Sequence, residues 1–366
     1  MNTADALAVL DAPPDADVDP DELVRAAMQW HFSPETGTPF WLARRDTLGF
    51  DPRTDVRTRA DLRLFPQVVD DLRHTPVEDL LPRGYGGAAE VIGVFESGGT
   101  TGAPKRVVYL ADWMEREMAQ AMRAMDERGY PRGVNWLSLG PSGPHDYAEL
   151  TGQHARRRGG LRFAIDFDPR WVRRCLREGR PEEAERYLDH VLAQAGDVLA
   201  SQHVGAVQAP PPLLERLARD ERLVDLVRGQ VQVITWCGTS MDRDTRDLFT
   251  REVFPGIPVY GLYGSTMALG AAFERPVTDD GDSVFDSPSV NVTYEVVDPG
   301  SGEPVAVGET GQVVMHHLSK SALLPHNRER DMARRAAAPA DRVGHAVADV
   351  RPVEAFTGVP VIVGAY

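Results

Sequence analysis

The sequence predicts an α/β fold in which a mostly parallel sheet is covered by helices and is followed by a smaller antiparallel, barrel-like subdomain. In the middle of the chain, short apolar runs alternate with longer segments of helical periodicity, which is typical of parallel strands joined by helices. Beyond residue 275, two strand-like runs, Val290–Val297 and Gln312–His317, flank a Pro-Gly-Ser-Gly turn. This change of pattern predicts antiparallel pairing in the C-terminal part.

The N-terminal 89 residues are predicted to form a helical segment that wraps over the surface. Its strongest helical patterns are Asp21–Trp30 and Asp55–Leu64. Two strands, Glu90–Glu96 and Arg106–Leu110, then flank a polar loop. The apolar residues of Asp112–Arg128 recur at helical spacing and predict an amphipathic helix.

Strands and helices alternate through residues 90–275, which we assign to the α/β part. The predicted order is strand Val134–Leu139, strand Leu161–Ile165, helices Trp171–Arg177 and Pro181–Leu199, strand Val204–Gln208, helix Pro212–Arg228, strand Val231–Trp236, helix Asp242–Glu252 and strand Val259–Tyr263. Residues 276–335 are assigned to the antiparallel subdomain and residues 336–366, whose periodicity is weak, to a C-terminal tail. Together these parts are predicted to make one large domain.

Composition narrows the classes of function. The 366 residues are 42% hydrophobic and 26% charged, which predicts a folded globular protein. A net charge of -15 argues against a nucleic-acid partner, and the absence of a long apolar run argues against a membrane partner. The two cysteines, Cys175 and Cys237, are far apart and lack the spacing of metal ligands. We therefore expect a cytoplasmic protein without a cysteine metal site.

The strongest signal for chemistry is the Gly/Thr loop 97–105 between two predicted strands. Its glycines allow the backbone to approach a polyphosphate, and its hydroxyls and lysine can bind phosphate oxygens. The candidate phosphate-binding residues are Ser97, Gly98, Gly99, Thr100, Thr101, Gly102 and Lys105. Lys105 is one of only two lysines in the chain. A plain hairpin turn is the alternative interpretation.

This loop resembles the Ser/Thr-Gly-Thr-Thr-Gly-x-Pro-Lys loop of the adenylate-forming superfamily, which contains acyl-CoA ligases, peptide-synthetase adenylation domains and luciferase. The resemblance extends over about residues 90–335, with the motifs in the expected order. It implies the large N-terminal domain of that fold, with stacked, mostly parallel sheets flanked by helices. It also implies that ATP is the cofactor, and that Lys105 acts in catalysis at the phosphates.

The segment Tyr263-Gly264-Ser265-Thr266 resembles the family's Tyr-Gly-x-Thr-Glu motif. The resemblance implies that Thr266 contacts the α-phosphate and acts in catalysis. The family's magnesium-binding glutamate is replaced here by Met267, and a thioether cannot replace a carboxylate for a hard cation. Mg²⁺ is therefore an expected cofactor whose binding is in doubt. Either the ion is held by phosphates and water alone, or catalysis is weakened.

Two further segments resemble nucleotide contacts of the family. Gly238, Thr239 and Ser240 lie where the family has its adenine loop, although a strand-to-helix turn would also explain them. The segment Arg328–Asp331 resembles Tyr-Arg-Thr-Gly-Asp, whose aspartate binds both ribose hydroxyls. We therefore predict that Asp331 binds the ribose, with a surface Arg–Asp pair as the alternative.

The acyl pocket is predicted from a weaker resemblance. The chain's length and the segment 141–147 are similar to short adenylating-like proteins of phenazine antibiotic biosynthesis and to phenylacetate-CoA ligase relatives. This resemblance implies an aromatic carboxylate as substrate. The candidate substrate-binding residues are His145, Tyr147, Gly264 and Met267, and a loop histidine that caps a helix is the alternative for His145.

Complete family members continue into a small domain that carries a catalytic lysine. Only 35 residues follow Asp331 and none is lysine, so we expect this small domain to be absent. Three functions follow: an acyl-AMP-forming enzyme, a weak or inactive binding protein for the acid, or one half of a split ligase. A downstream reductase, a carrier or a separate small domain would be the partner, and the acid's identity, the acceptor and a homodimer stay open.

Overall fold

The N-terminal segment lies over the rest of the fold in a series of short helices. The computed structural model describes residues 3–97, 103–276, 281–352, 355–356 and 359–360. The α-helices of this segment are α1 (Thr3–Leu10), α2 (Pro20–Phe32), α3 (Pro39–Arg44) and α4 (Pro52–Asp55), followed by several 3-10 turns. Asp19 caps α2 by accepting a hydrogen bond from the Glu22 N–H at 2.7 Å. This confirms the first predicted helix.

The prediction of a helix over Asp55–Leu64 is wrong. Only a 3-10 helix, Arg59–Leu64, forms there. The Asp61 carboxylate accepts hydrogen bonds from the N–H groups of Arg57 and Thr58 at 3.0 and 2.8 Å, which starts the turn at Thr58. Pro66 follows two residues after the helix, so there is no room for a longer one.

Two tryptophans fasten the N-terminal segment to the antiparallel sheet. The indole N–H of Trp30 donates to the Lys320 carbonyl at 2.8 Å, and that of Trp41 donates to the Leu323 carbonyl at 3.0 Å. Both rings are almost completely buried. The segment therefore belongs to the core of the molecule and can bring its own residues to a site formed elsewhere.

The α/β part contains one six-stranded sheet. Its strands are β3 (Trp136–Gly140), β4 (Arg162–Asp166), β5 (Ala206–Ala209), β6 (Val233–Cys237), β7 (Val259–Ser265) and β8 (Gly270–Phe273), in the order β4-β3-β5-β6-β7-β8. All neighbours pair in parallel except β8, which is antiparallel to β7. Preceding this sheet, β1 (Val91–Glu96) and β2 (Arg106–Leu110) pair as an antiparallel hairpin.

The helices of this part are α5 (Ala111–Glu127), α6 (Tyr147–Arg157), α7 (Pro169–Arg177), α8 (Pro181–Ser201), α9 (Pro211–Leu217), α10 (Glu221–Arg228) and α11 (Arg243–Leu248), which continues as a π-helical turn, Phe249–Val253. The single helix predicted over Pro212–Arg228 is divided into α9 and α10, because Asp220 caps a new helix by accepting from the Leu223 N–H. Helix α6 and strand β8 were not predicted. Among the described residues, no helix combines the length and apolarity needed to cross a lipid bilayer.

The C-terminal part is an antiparallel sheet of five strands in the order β10-β11-β12-β13-β9. Its strands are β9 (Val284–Phe285), β10 (Val292–Val297), β11 (Thr310–Leu318), β12 (Leu323–Ala336) and β13 (Ala346–Pro352), and the short strands β14 (Ala355–Phe356) and β15 (Val359–Pro360) pair with each other. Strand β13 lies in the predicted C-terminal tail, so this part of the tail belongs to the sheet, and β12 lies in the predicted antiparallel subdomain although no strand was predicted there. Their charged residues conceal the strand pattern. With the parallel sheet, this antiparallel sheet confirms the predicted fold class.

Candidate functional site

A cavity of about 520 Å³ lies where the carboxyl ends of β6 and β7 meet strands β12 and β13. Open α/β sheets bind ligands at the carboxyl ends of their strands, because the loops that follow the strands converge there. The hairpin β1–β2 and the N-terminal segment close the cavity from the other side, through Lys105 and Asp70. Four parts of the chain that are distant in sequence therefore line one cavity.

The loop after β6 contributes Gly238, Thr239 and Ser240 to the cavity wall, as predicted for an adenine loop. Gly238 has φ of 84°, a left-handed conformation that favours glycine and turns the chain sharply. The cap of α11 is Asp242, whose carboxylate accepts from the Thr245 N–H at 2.9 Å. Ser240 is therefore not needed as the helix cap.

The end of β7 contributes Tyr263, Gly264, Ser265, Thr266 and Met267 to the cavity. A Cβ atom at Gly264 would collide with the Gly270 carbonyl and Ala271 on β8, so the close pairing of β7 and β8 requires glycine there. This gives Gly264 a structural role beside its predicted role in substrate binding.

Of the predicted phosphate-binding residues, the structure describes Ser97 and Lys105, at the two ends of the loop. Ser97 and Lys105 line the cavity, and their backbones are joined by a hydrogen bond of 3.0 Å from the Ser97 N–H to the Lys105 carbonyl. The Lys105 ammonium lies 3.2 Å from Asp70. Burial lowers the pKa of Lys105, while Asp70 favours its charged form. The remaining predicted residues, Gly98, Gly99, Thr100, Thr101 and Gly102, lie outside the described residues.

Asp331 lies on β12 and faces the cavity. Its carboxylate accepts a hydrogen bond from the Tyr263 hydroxyl at 3.0 Å. Burial, followed by the nearby Glu329 carboxylate, raises the pKa of Asp331 to about 7. A carboxylate in this state gains from new hydrogen-bond donors, such as the two hydroxyls of a ribose.

Lys105 is not the sole cation that lines the cavity. Several arginines also line it, because β12, β13, the N-terminal segment and the start of α11 all border the cavity. These arginines are Arg73, Arg243, Arg328, Arg330 and Arg351. The cavity lining therefore combines these cations with the carboxylates of Asp70, Asp282, Glu329, Asp331 and Asp349, in a protein whose net charge is -15.

His145 and Tyr147 are not among the residues that line this cavity. The Tyr147 ring lies against Gly140, and its hydroxyl donates to the Gln208 carbonyl at 3.1 Å. Between these two residues, Asp146 accepts a hydrogen bond from the Thr266 hydroxyl at 3.0 Å. Asp146 therefore connects the predicted acid-binding segment with the cavity through Thr266.

Comparisons with known proteins agree with this geometry. A sequence model of the family described as AMP-binding enzyme matches residues 180–319. Phenylacetate-coenzyme A ligase of Escherichia coli (strain K12) is 26% identical over 302 residues, which are 81% of this chain and 62% of that protein. The chain is thus similar in sequence to AMP-binding enzymes and to an acyl-CoA ligase. It spans less than two thirds of this relative's length.

The solved structures show that the superfamily fold is shared. A crystal structure of 2-hydroxyisobutyryl-CoA ligase in complex with 2-HIB-AMP and CoA matches with a TM-score of 0.62 at 16% identity. The match covers 90% of this chain and 65% of that protein chain. An open conformation of the same ligase matches with a TM-score of 0.63 at 17% identity, covering 90% and 67% of the two chains.

The residues of the cavity suit a nucleotide better than they suit a protein-held metal. Hydroxyl, carboxylate and cationic groups occupy one cavity, as ribose and phosphate binding require. No group of three or more His, Cys, Asp and Glu side chains able to hold a metal ion occurs among the described residues. A magnesium ion would therefore take most of its ligands from the nucleotide's phosphates and water.

Several residues of the site escaped the sequence analysis. Gln67, Asp70 and Arg73 reach the cavity from the N-terminal segment, which shows no motif. Glu329 and Asp146 lie next to predicted site residues, but the sequence did not predict a role for either of them. For Glu329 a signal existed, because residues two apart on a strand point to the same face and Glu329 precedes Asp331 by two.

Proposed function

We propose that this protein binds ATP in the cavity and activates a carboxylic acid as an acyl-adenylate, releasing pyrophosphate. The observation that carries the proposal is the meeting of Lys105, Thr266 and Asp331 at one cavity, from three distant parts of the chain. A lysine can bind phosphate oxygens, a threonine hydroxyl can donate to an α-phosphate oxygen, and a carboxylate can accept hydrogen bonds from the ribose hydroxyls. Chance does not readily explain why three motif residues from distant parts of the chain meet at one cavity.

In the proposed reaction, a carboxylate oxygen of the acid attacks the α-phosphorus, and pyrophosphate leaves. Lys105 and the arginines at the cavity border would stabilise the negative charge on the departing phosphates. Thr266 would donate its hydroxyl to an α-phosphate oxygen after releasing Asp146, which now accepts it at 3.0 Å. Asp331 would hold the ribose and so fix the α-phosphate in line with the acid.

We further propose that the acid is aromatic, possessing a planar ring of the phenazine type, and that the pathway makes a natural product. Trp236, Leu262 and Met267 line the cavity and provide apolar surface for a flat ring. His145 and Tyr147 stay candidates for the far end of the acid. The acyl group would pass to a partner, which would be a reductase, a carrier or a separate small domain.

A binding protein with little or no adenylation activity is the second candidate. It is favoured by two contacts: Lys105 is paired with Asp70, and the Thr266 hydroxyl is bound to Asp146. Both groups must exchange their present partners for phosphate oxygens before they can act. That exchange costs free energy and would slow adenylation.

Acid-dependent ATP–pyrophosphate exchange tests the proposal, with phenazine and benzene carboxylates as the acids. We expect exchange in the wild-type protein and a loss of about 100-fold in Lys105→Ala, because one buried cation at the transferring phosphates is removed. Lys320→Ala is the matched control, because Lys320 pairs with Asp11 outside the cavity and should leave exchange unchanged. Tight binding of an acid without any exchange would support the binding protein instead.

A further inference from the structure

The turn after β7 carries a methionine where the superfamily resemblance places a magnesium-binding glutamate. Met267 is buried, and it belongs to the same apolar core cluster as Trp113 and Leu269. Its thioether is a soft and weak ligand for a hard cation. Any protein carboxylate that binds magnesium at this turn would therefore come from another part of the chain.

Glu329 brings a carboxylate to this turn from β12. Ser265 and Glu329 line the same cavity, and the Ser265 hydroxyl acts to lower the pKa of the Glu329 carboxyl. The same Ser265 oxygen accepts the Met267 N–H at 3.3 Å. Ser265 thus stands between the Glu329 carboxylate and the Met267 backbone, at the junction between the parallel and the antiparallel sheets.

The position of the Glu329 side chain is held from a second side. The Asn327 amide donates to one Glu329 carboxylate oxygen at 2.6 Å, and the Gln312 amide donates to the Glu329 carbonyl at 2.9 Å. Burial raises the pKa of Glu329, and the positive charge of Lys105 acts against this rise. The carboxylate is therefore fixed, lies near the phosphate-loop lysine, and would be stabilised by an added cation.

We propose that Glu329 supplies the carboxylate ligand for the magnesium ion of bound ATP, in place of the glutamate that Met267 replaces. The inference rests on the proposed binding of ATP. Mg²⁺ commonly takes one or two protein carboxylates and completes its octahedron with phosphate oxygens and water. One carboxylate next to Ser265, on the same cavity wall as Thr266, meets this need without a cluster of protein ligands.

Isothermal titration with ATP, with Mg²⁺ and then with EDTA, tests this role without depending on turnover. In the wild-type protein we expect Mg²⁺ to strengthen ATP binding. In Glu329→Gln we expect the increase in ATP affinity caused by Mg²⁺ to be smaller by at least about tenfold. Removing even a residue that supports a metal ligand indirectly typically lowers metal affinity by this much. ATP affinity in EDTA should be unchanged or higher, since one negative charge near the phosphates is gone. Electron paramagnetic resonance of Mn²⁺ with ATP should show the same loss.

Two further variants distinguish magnesium binding by Glu329 from a general effect of charge and from an effect on ATP binding itself. Glu303→Gln removes an exposed carboxylate that pairs with Arg63 and should keep the full magnesium gain. Asp331→Asn should weaken ATP equally with and without Mg²⁺, because ribose contacts do not involve the ion. If Glu329→Gln unfolds, Glu329→Asp retains the charge at a shorter reach and should show a reduced magnesium gain.

An unchanged magnesium gain in Glu329→Gln would overturn the inference while leaving the proposed ATP site intact. Failure of the wild-type protein to bind ATP under either condition would instead overturn the proposed function, and this inference with it. The two failures are therefore distinguishable in a single set of titrations.

Discussion

Two groups of carboxylates whose pKa is raised by burial have different surroundings in this protein. Glu274, at the end of β8, is completely buried and contacts the guanidinium of Arg246 from α11. It also accepts the Gly261 N–H at 2.6 Å. Glu329 and Asp331, in contrast, lie two residues apart on β12, and the negative charge of Glu329 adds to the burial that raises the pKa of Asp331. Glu274 is therefore paired directly with a cation, whereas Glu329 and Asp331 have the neutral hydrogen-bond donors Asn327 and Tyr263.

The difference indicates what each group is for. A buried ion pair joins parts of the fold, and breaking it leaves an uncompensated charge. Two like charges at a cavity wall destabilise the folded protein, so their presence is explained more readily by a ligand that compensates them. The Arg246–Glu274 pair is therefore interpreted as structural, and the Glu329–Asp331 pair as part of a binding site.

The largest effect is expected from breaking the structural pair. Arg246→Met keeps most of the apolar stem and removes the charge, leaving Glu274 buried without its cation. We expect the free energy of unfolding to fall by about 3–5 kcal/mol, the cost typical of removing one partner of a buried pair. Urea unfolding followed by circular dichroism measures it. Arg63→Met, at an exposed pair with Glu303, should cost less than about 1 kcal/mol.

A smaller effect is expected from changing Asp331, and it concerns the binding of nucleotides. Asp331→Asn should weaken ATP and AMP binding by about 10- to 100-fold, because a charged acceptor of ribose hydroxyls contributes roughly 1.5–3 kcal/mol. The free energy of unfolding should not fall, since the repulsion with Glu329 is removed. Titration calorimetry and urea unfolding of the same sample give both values. A variant that binds normally but unfolds easily would assign Asp331 to structure instead.

The smallest effect is the pH dependence of nucleotide binding. The groups that act on the raised pKa of Asp331 are Glu329 and Arg330 on its own strand and Tyr263 on β7. Below its pKa of about 7, Asp331 carries a proton and loses acceptor capacity, and above it the carboxylate can accept both ribose hydroxyls. Binding should therefore strengthen with rising pH.

Adenosine, which has no phosphate to titrate, is the suitable probe for this effect. Its affinity should rise by up to about tenfold between about pH 6 and about pH 8, as the carboxyl loses its proton. Asp331→Asn should show a flat profile over the same range. A wild-type profile as flat as that of the variant would contradict the assignment of Asp331 to the ribose.

The candidate site could be predicted wherever its residues form a local motif. Lys105, Thr266 and Asp331 each lie in a short segment with a recognisable order of residue types, and all three meet at the cavity. Asp70 and Arg73 could not be predicted, because they reach the cavity only through the path of the N-terminal segment. His145 and Tyr147 were placed by resemblance alone, and packing against Gly140 directs the Tyr147 ring away from the cavity lining.

The sequence by itself determined the alternation of strands and helices, the change to antiparallel pairing and the three motif residues, because these depend on periodicity and local residue order. Only the tertiary structure decided the pairing of β12 with β13, which their charged residues conceal, and the contacts between distant parts of the chain. Ser265 and Glu329 line one cavity only because the two sheets meet at one edge, and Thr266 binds Asp146 across 120 residues of sequence. Such contacts depend on how strands pack in three dimensions, which a linear pattern does not encode.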